Sequence, residues 1–243
     1  MKTLDVGGLS VRIAGGADRE GGGDGPLVVL LHGFGAPGDD LVSLFRVIDA
    51  PSGTRWAFPA APLDLGADPR SPWAFGGPPG ARAWWMIDMV RLQTASERGQ
   101  IEALTRETPP GLADARAALT PMLDALERDL RPSKVVLGGF SQGAMLACDV
   151  ALTTGRPLAG VVLLSGMLLC ADEWTALAHR RPGLRVFQSH GTEDPVLPFP
   201  NAEKLKDVLQ AGGADVEWLP FRGGHEIPDV VVRGVGRWLC ALP

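Results

Sequence analysis

Short apolar runs, several nearly unbroken in Val and Leu, recur along the chain between glycine, proline and aspartate residues. They predict strands at 9–14, 27–31, 55–58, 134–138, 160–164, 184–189 and 216–220. A strand that is apolar at almost every position has both faces covered, as inside a parallel sheet. Between these runs lie segments of helical length and period at 113–130, 142–154, 202–211 and 230–242. Strands alternating with helices imply a mostly parallel sheet with helices on both faces. The first strand is expected to pair antiparallel at the sheet edge, because it leads into the loop 15–25, which carries Gly15, Gly16, Gly21, Gly22, Gly23 and Gly25. That loop lacks the Lys and Ser/Thr of a phosphate-binding loop and reads as a solvated connection. Residues 61–110 break the alternation, rich in Pro, Gly and Trp before turning polar, and predict an excursion too short for a second domain. The whole chain, 1–243, is read as one α/β domain.

Composition narrows the partners. An apolar content of 45% with 21% charged residues is ordinary for a soluble globular protein and excludes the disordered and fibrous classes. A net charge of −5 and the lack of any Lys/Arg-rich run offer nothing to a phosphate backbone, so no nucleic acid is expected as a partner. No run reaches the roughly 18 apolar residues of a membrane span, and Asp5, Gly7 and Gly8 fall where a signal peptide needs an unbroken apolar segment. Cys148, Cys170 and Cys240 lie far apart without metal-ligand spacing, which fits a reducing, cytoplasmic setting.

The candidate chemistry begins at Gly139-Phe140-Ser141-Gln142-Gly143, between the apolar run Val135-Val136-Leu137 and the helix-like Ala144-Met145-Leu146-Ala147. A strand that turns sharply into a helix on Gly-x-Ser-x-Gly presents its serine at the sheet edge as a nucleophile, and the flanking glycines let strand and helix approach. The pentapeptide alone is moderately specific, and a glycine-rich turn that merely closes a strand-helix unit is the alternative. A serine hydroxyl needs a base, and the base needs an orienting acid. Asp194, in Ser189-His190-Gly191-Thr192-Glu193-Asp194-Pro195, follows one predicted strand, and His225, in Gly223-Gly224-His225-Glu226, follows the next. Both lie past the carboxyl ends of parallel strands, where side chains converge above an open sheet.

Glu193 and Asp172 are the rival acids. The Asp-Pro step favours an extended turn that would fix Asp194, whereas Asp172 reads as a helix N-cap. His32 and His190 each precede a glycine at a strand end, where a ring bonded to loop backbone is the ordinary explanation, and His179 lies beside Arg180 and Arg181 on an expected surface. The oxyanion donors are expected to be two backbone N–H groups, that of Gln142 and that of Phe34 in His32-Gly33-Phe34-Gly35.

These segments, with Phe58-Pro59-Ala60-Ala61-Pro62, Leu164-Ser165-Gly166 and His190-Gly191-Thr192-Glu193-Asp194-Pro195-Val196-Leu197-Pro198, resemble the phospholipase/carboxylesterase family of small serine α/β-hydrolases, which includes the acyl-protein thioesterases. The likeness runs from about residue 27 to the C-terminus. It implies an α/β-hydrolase fold without a large cap domain, a triad of Ser141, Asp194 and His225, oxyanion donors at Phe34 and Gln142, and hydrolysis of carboxylic esters or thioesters with no cofactor and no metal. The substrate would be a small ester or thioester, or an acylated lipid or protein. Two departures stand out: Ala144 where the family commonly has a second glycine, and Trp84-Trp85-Met86-Ile87-Asp88 where it tends to show Trp-Phe/Tyr-Asp.

Trp73, Phe75, Trp84, Trp85, Met86 and Met89 concentrate in the excursion, where they either line an acyl groove or pin a long loop. Trp84 and Trp85 are favoured for the groove, with Leu197 as a further pocket candidate. A peptidase or carbon-carbon bond hydrolase would share this triad, because the pocket decides the substrate. A ligand-binding protein on a hydrolase-like scaffold is the non-enzymatic alternative.

Overall fold

In the computed structural model, which describes every residue except Pro69, Arg70, Pro72 and Phe75, the described residues form ten strands and seven α-helices, which alternate from Leu112 onward. The strands are β1 (Lys2–Val6), β2 (Leu9–Gly15), β3 (Leu27–Leu31), β4 (Arg55–Pro59), the two-residue strands β5 (Leu63–Asp64) and β6 (Arg82–Ala83), β7 (Val135–Phe140), β8 (Gly160–Leu164), β9 (Arg185–Gly191) and β10 (Asp215–Phe221). The helices are α1 (Met89–Glu97), α2 (Ile101–Arg106), α3 (Leu112–Leu130), α4 (Gln142–Thr153), α5 (Ala171–Ala178), α6 (Phe199–Ala211) and α7 (Asp229–Cys240), and a 3-10 helix spans Asp40–Arg46.

Eight strands form one sheet in the order β1-β2-β4-β3-β7-β8-β9-β10, parallel from β4 through β10. Strand β2 is antiparallel as expected, but to both β1 and β4. The edge is therefore β1, whose Lys-Thr-Leu-Asp-Val is mostly exposed and carries no apolar run to reveal it.

Alternation along the buried strands sorts side chains onto two faces. Val29, Leu137, Val161 and Leu163 join a core built with α3, α4, α5 and α6. Their neighbours Val28, Val136, Val162 and Leu164 join a second core under the 3-10 helix and α7, which contributes Val231, Val235 and Trp238. This two-sided burial is why β3 and β8 are continuous runs of apolar residues. The excursion holds the β5–β6 pair, α1 and α2. Among the described residues no helix is long and apolar enough to cross a membrane.

Candidate active site

Strand β7 ends and α4 begins on a single residue. Ser141 is the N-cap of α4 with φ 54° and ψ −118°, a backbone conformation in which a non-glycine residue is strained by about 1–3 kcal/mol. Its N–H donates to the Leu164 carbonyl at 2.8 Å, which ties the turn to β8. The glycines leave the room that this turn requires. A Cβ at Gly143 would lie 2.1 Å from the Leu31 carbonyl oxygen, and one at Gly139 would lie 2.5 Å from the Gly143 carbonyl carbon. Ala144, the departure from the family pattern, is buried against Gly166, where a Cβ would meet it at 2.9 Å.

Past β9, the Asp194 side chain is fully buried and every contact on its carboxylate is a donor. Oδ1 accepts the N–H groups of Val196 (2.8 Å) and Leu197 (2.9 Å). Oδ2 accepts His225 Nδ1–H at 2.7 Å and lies 3.2 Å from His190 Nε2. Burial disfavours the carboxylate, but the bonds from His190, His225 and Leu197 outweigh it and hold the group well below the usual carboxylate range. Since His225 uses Nδ1–H toward Asp194, its Nε2 keeps a lone pair free to take a proton. The His225 ring packs on Phe140 with centroids 4.8 Å apart. Ser165, itself at φ 49°, donates its hydroxyl to the Glu226 carbonyl at 3.4 Å and so braces the loop that carries His225. The rival acids lie exposed: Glu193 is paired with Arg222, and Asp172 sits in the first turn of α5, whose N-cap is Cys170.

The loop after β3 is held by His32. Its Nδ1–H donates to the Gly33 carbonyl at 2.8 Å, its Nε2 accepts the Ala61 N–H at 2.9 Å, and its own carbonyl accepts Trp84 Nε1–H at 3.0 Å. Neither the Phe34 N–H nor the Gln142 N–H has an acceptor among the described residues. Both are the donors expected for an oxyanion. Burial of His32, with Arg82 nearby, pushes its pKa down to about 4 against the bond to Gly33. The unfolded chain therefore binds one more proton than the native protein between about pH 4 and 6.5, so native stability falls as pH drops through that window. The expected loss is about 3 kcal/mol, measured as unfolding free energy in urea against pH. His32→Gln, which keeps an acceptor for Ala61, should flatten that slope by one proton, and an unchanged slope would refute the assignment.

Ser141 and His225 line the same cavity, about 610 Å³ and predominantly apolar. Trp73, Trp85, Met86 and Met89 of the excursion form part of its wall, as do Leu197, and Leu92 of α1. Trp84 does not. Its indole is buried on the His32 ring, 5.5 Å between centroids, and bonded to the loop backbone, so Trp84 pins the excursion while Trp85 faces the cavity. Phe75 lies outside the described residues.

Two features escaped sequence reasoning. The buried side-chain amide of Gln142 accepts the Trp84 N–H at 3.0 Å and donates to the Trp85 carbonyl at 2.8 Å, clamping the excursion onto the elbow. Nothing in a contact 57 residues long is visible in local pattern. The second is His190, whose ring does bond loop backbone, the Leu197 carbonyl at 2.8 Å, but also reaches Asp194. Among the described residues no group of three or more His, Cys, Asp or Glu could hold a metal ion.

The likeness to known proteins covers these same elements. The acyl-protein thioesterase 1 of Aspergillus fumigatus is 28% identical over 146 residues, 56% of this chain and 59% of that protein, so this match spans little more than half of the relative's length. The acyl-protein thioesterase 1 of Candida albicans is 26% identical over 225 residues, covering 84% of this chain and 88% of that protein. Among solved structures, that of esterase PE8 superposes with a TM-score of 0.77 at 27% identity, covering 97% of this chain and 99% of the other. The mostly parallel sheet, with the serine on its strand-helix turn and helices on both faces, is the α/β-hydrolase fold. The phospholipase/carboxylesterase family model matches residues 23–241, from just before β3 to just past α7, and the chain belongs to that family.

Proposed function

We propose that this protein is a serine hydrolase that cleaves carboxylic esters or thioesters through an acyl-Ser141 intermediate. The observation that carries the reading is the 2.7 Å bond from His225 Nδ1–H to buried Asp194, with His225 and Ser141 opening on one apolar cavity. His225 Nε2 takes the hydroxyl proton as Ser141 Oγ bonds to the carbonyl carbon, then gives it to the leaving alcohol or thiol as the C–O or C–S bond breaks. A water attacks the acyl-serine in the same way, its proton passing through His225 back to Ser141. Asp194 keeps the imidazole tautomer, and the Phe34 and Gln142 N–H groups receive the charge on the tetrahedral oxygen. The relatives named acyl-protein thioesterase and esterase support this chemistry.

The apolar wall favours an acyl chain as the group accommodated. An eight-stranded sheet that draws strands from residue 2 to residue 221 supports one domain. Three unpaired cysteines, with Cys240 exposed, support a reducing compartment such as the cytoplasm.

A panel of 4-nitrophenyl esters and acyl thioesters of graded chain length tests the reading, with amide and diketone substrates beside them. Hydrolysis of esters or thioesters with little of the others is expected. Trp85→Ala should lower kcat/KM for long-chain esters about 10-fold, through lost apolar contact, and leave the acetyl ester within about 2-fold. Equal losses across the series would remove Trp85 from the acyl site.

A further inference from the structure

We propose that His190 is a positioning residue for the acid Asp194, so that the site depends on two histidines bonded to one carboxylate oxygen. This rests on the triad reading above. His190 ends β9 next to Gly191, and its side chain is fully buried. Its Nε2 faces two groups that can only accept, the Leu197 carbonyl at 2.8 Å and Asp194 Oδ2 at 3.2 Å, so Nε2 carries the proton and shares it between them.

The geometry closes on itself. Leu197 gives its N–H to Asp194 Oδ1 and takes the His190 proton at its carbonyl, so the loop from β9 to α6 is fastened at both ends to the same carboxylate. Oδ2 holds two in-plane acceptor sites, and His190 and His225 occupy both. With Oδ1 also accepting two N–H groups, the carboxylate cannot turn away from His225 without breaking bonds on either oxygen.

The opposite ring nitrogen argues that these bonds are the reason for a histidine here. His190 Nδ1 is buried with no partner among the described residues. A polar atom left so is destabilising, and an apolar ring beside Phe199, 6.2 Å away between centroids, would avoid the cost. Retaining the imidazole makes sense only for what Nε2–H does.

The test compares His190→Phe, which keeps ring packing and removes the donor, with His190→Gln, whose amide reaches toward the position of Nε2. Steady-state hydrolysis of 4-nitrophenyl butyrate should show kcat lowered about 10–100-fold in H190F, taking as the scale the loss of hydrogen-bond partners behind metal-bound ligands, with KM within about 2-fold. H190Q should recover most of kcat. A folded H190F with wild-type kcat, or an H190Q as impaired as H190F, would overturn the proposal. Nitrogen-15 NMR of histidine-labelled, unsubstituted protein decides independently of whether a variant folds: His190 protonated at Nε2 supports it, and His190 protonated at Nδ1 overturns it. Ser141→Ala run alongside separates the two layers. Turnover retained in S141A removes the triad reading and this proposal with it, whereas a dead S141A with an unimpaired H190F removes this proposal alone.

Discussion

Replacing Ser141 with alanine is expected to abolish ester turnover while the protein stays folded, with a loss on the order of 10⁵-fold or more in kcat. In the proposed triad the nucleophile, base and acid act as a unit, so removing the hydroxyl would leave only binding and the proposed oxyanion donors, the residual activity typical of such sites. Alanine keeps the Cβ and hence the strain at φ 54°, so native stability should change little. Glycine at the same position adopts that conformation freely. Ser141→Gly should therefore be equally inactive yet more stable than the parent by about 1 kcal/mol, read from denaturant unfolding. A serine kept in a conformation that costs stability is the mark of a site held for chemistry rather than for folding.

Asp194→Asn is the second large effect, and its size follows from the four donors on the carboxylate. An asparagine amide offers one oxygen and one NH₂ group. Whichever way it turns, the NH₂ confronts either the Val196 and Leu197 N–H groups or the rings of His190 and His225. If the NH₂ faces the histidines, His225 can bond only by presenting Nδ1 as an acceptor, which moves its proton to Nε2 and removes the base. A fall in kcat of about 10⁴-fold is expected, the magnitude of a wrong imidazole tautomer. Stability carries a pH signature with a definite sign. The bonds from His190, His225 and Leu197 hold the native carboxyl well below the usual carboxylate range, so its stabilisation is complete above about pH 4 and is lost as pH falls further. The advantage of the parent over D194N in urea unfolding should accordingly be constant from pH 5 to 7 and shrink below about pH 4.

Much of this was legible in the chain itself, for identifiable reasons. Strands β3 and β8 are unbroken apolar runs because they are covered on both faces, and their predicted bounds match those observed. The site residues follow strand ends, so their order along the chain translates into convergence above the sheet. Elements whose stability comes from elsewhere were not legible. Strand β1 is mostly exposed and held by pairing to β2. Helices α1 and α2 are short and carry few buried residues, Leu92, Ala95, Ile101 and Thr105, in a segment read only as an excursion from the sheet. Within the site, Trp84 and Trp85 are indistinguishable by residue type, and only the bonds from Trp84 to His32 and Gln142 send one inward and leave the other on the cavity. The link from His190 to Asp194 likewise depends on how the loop after β9 folds back, which residue types alone do not state.

Covalent trapping tests the central claim most directly. Protein incubated with a fluorophosphonate, digested and analysed by mass spectrometry should carry one phosphonyl group on the peptide containing Ser141, in step with loss of esterase activity, and S141A should carry none. Labelling of another residue that tracks the loss of activity, or full inhibition with Ser141 unmodified, would contradict it.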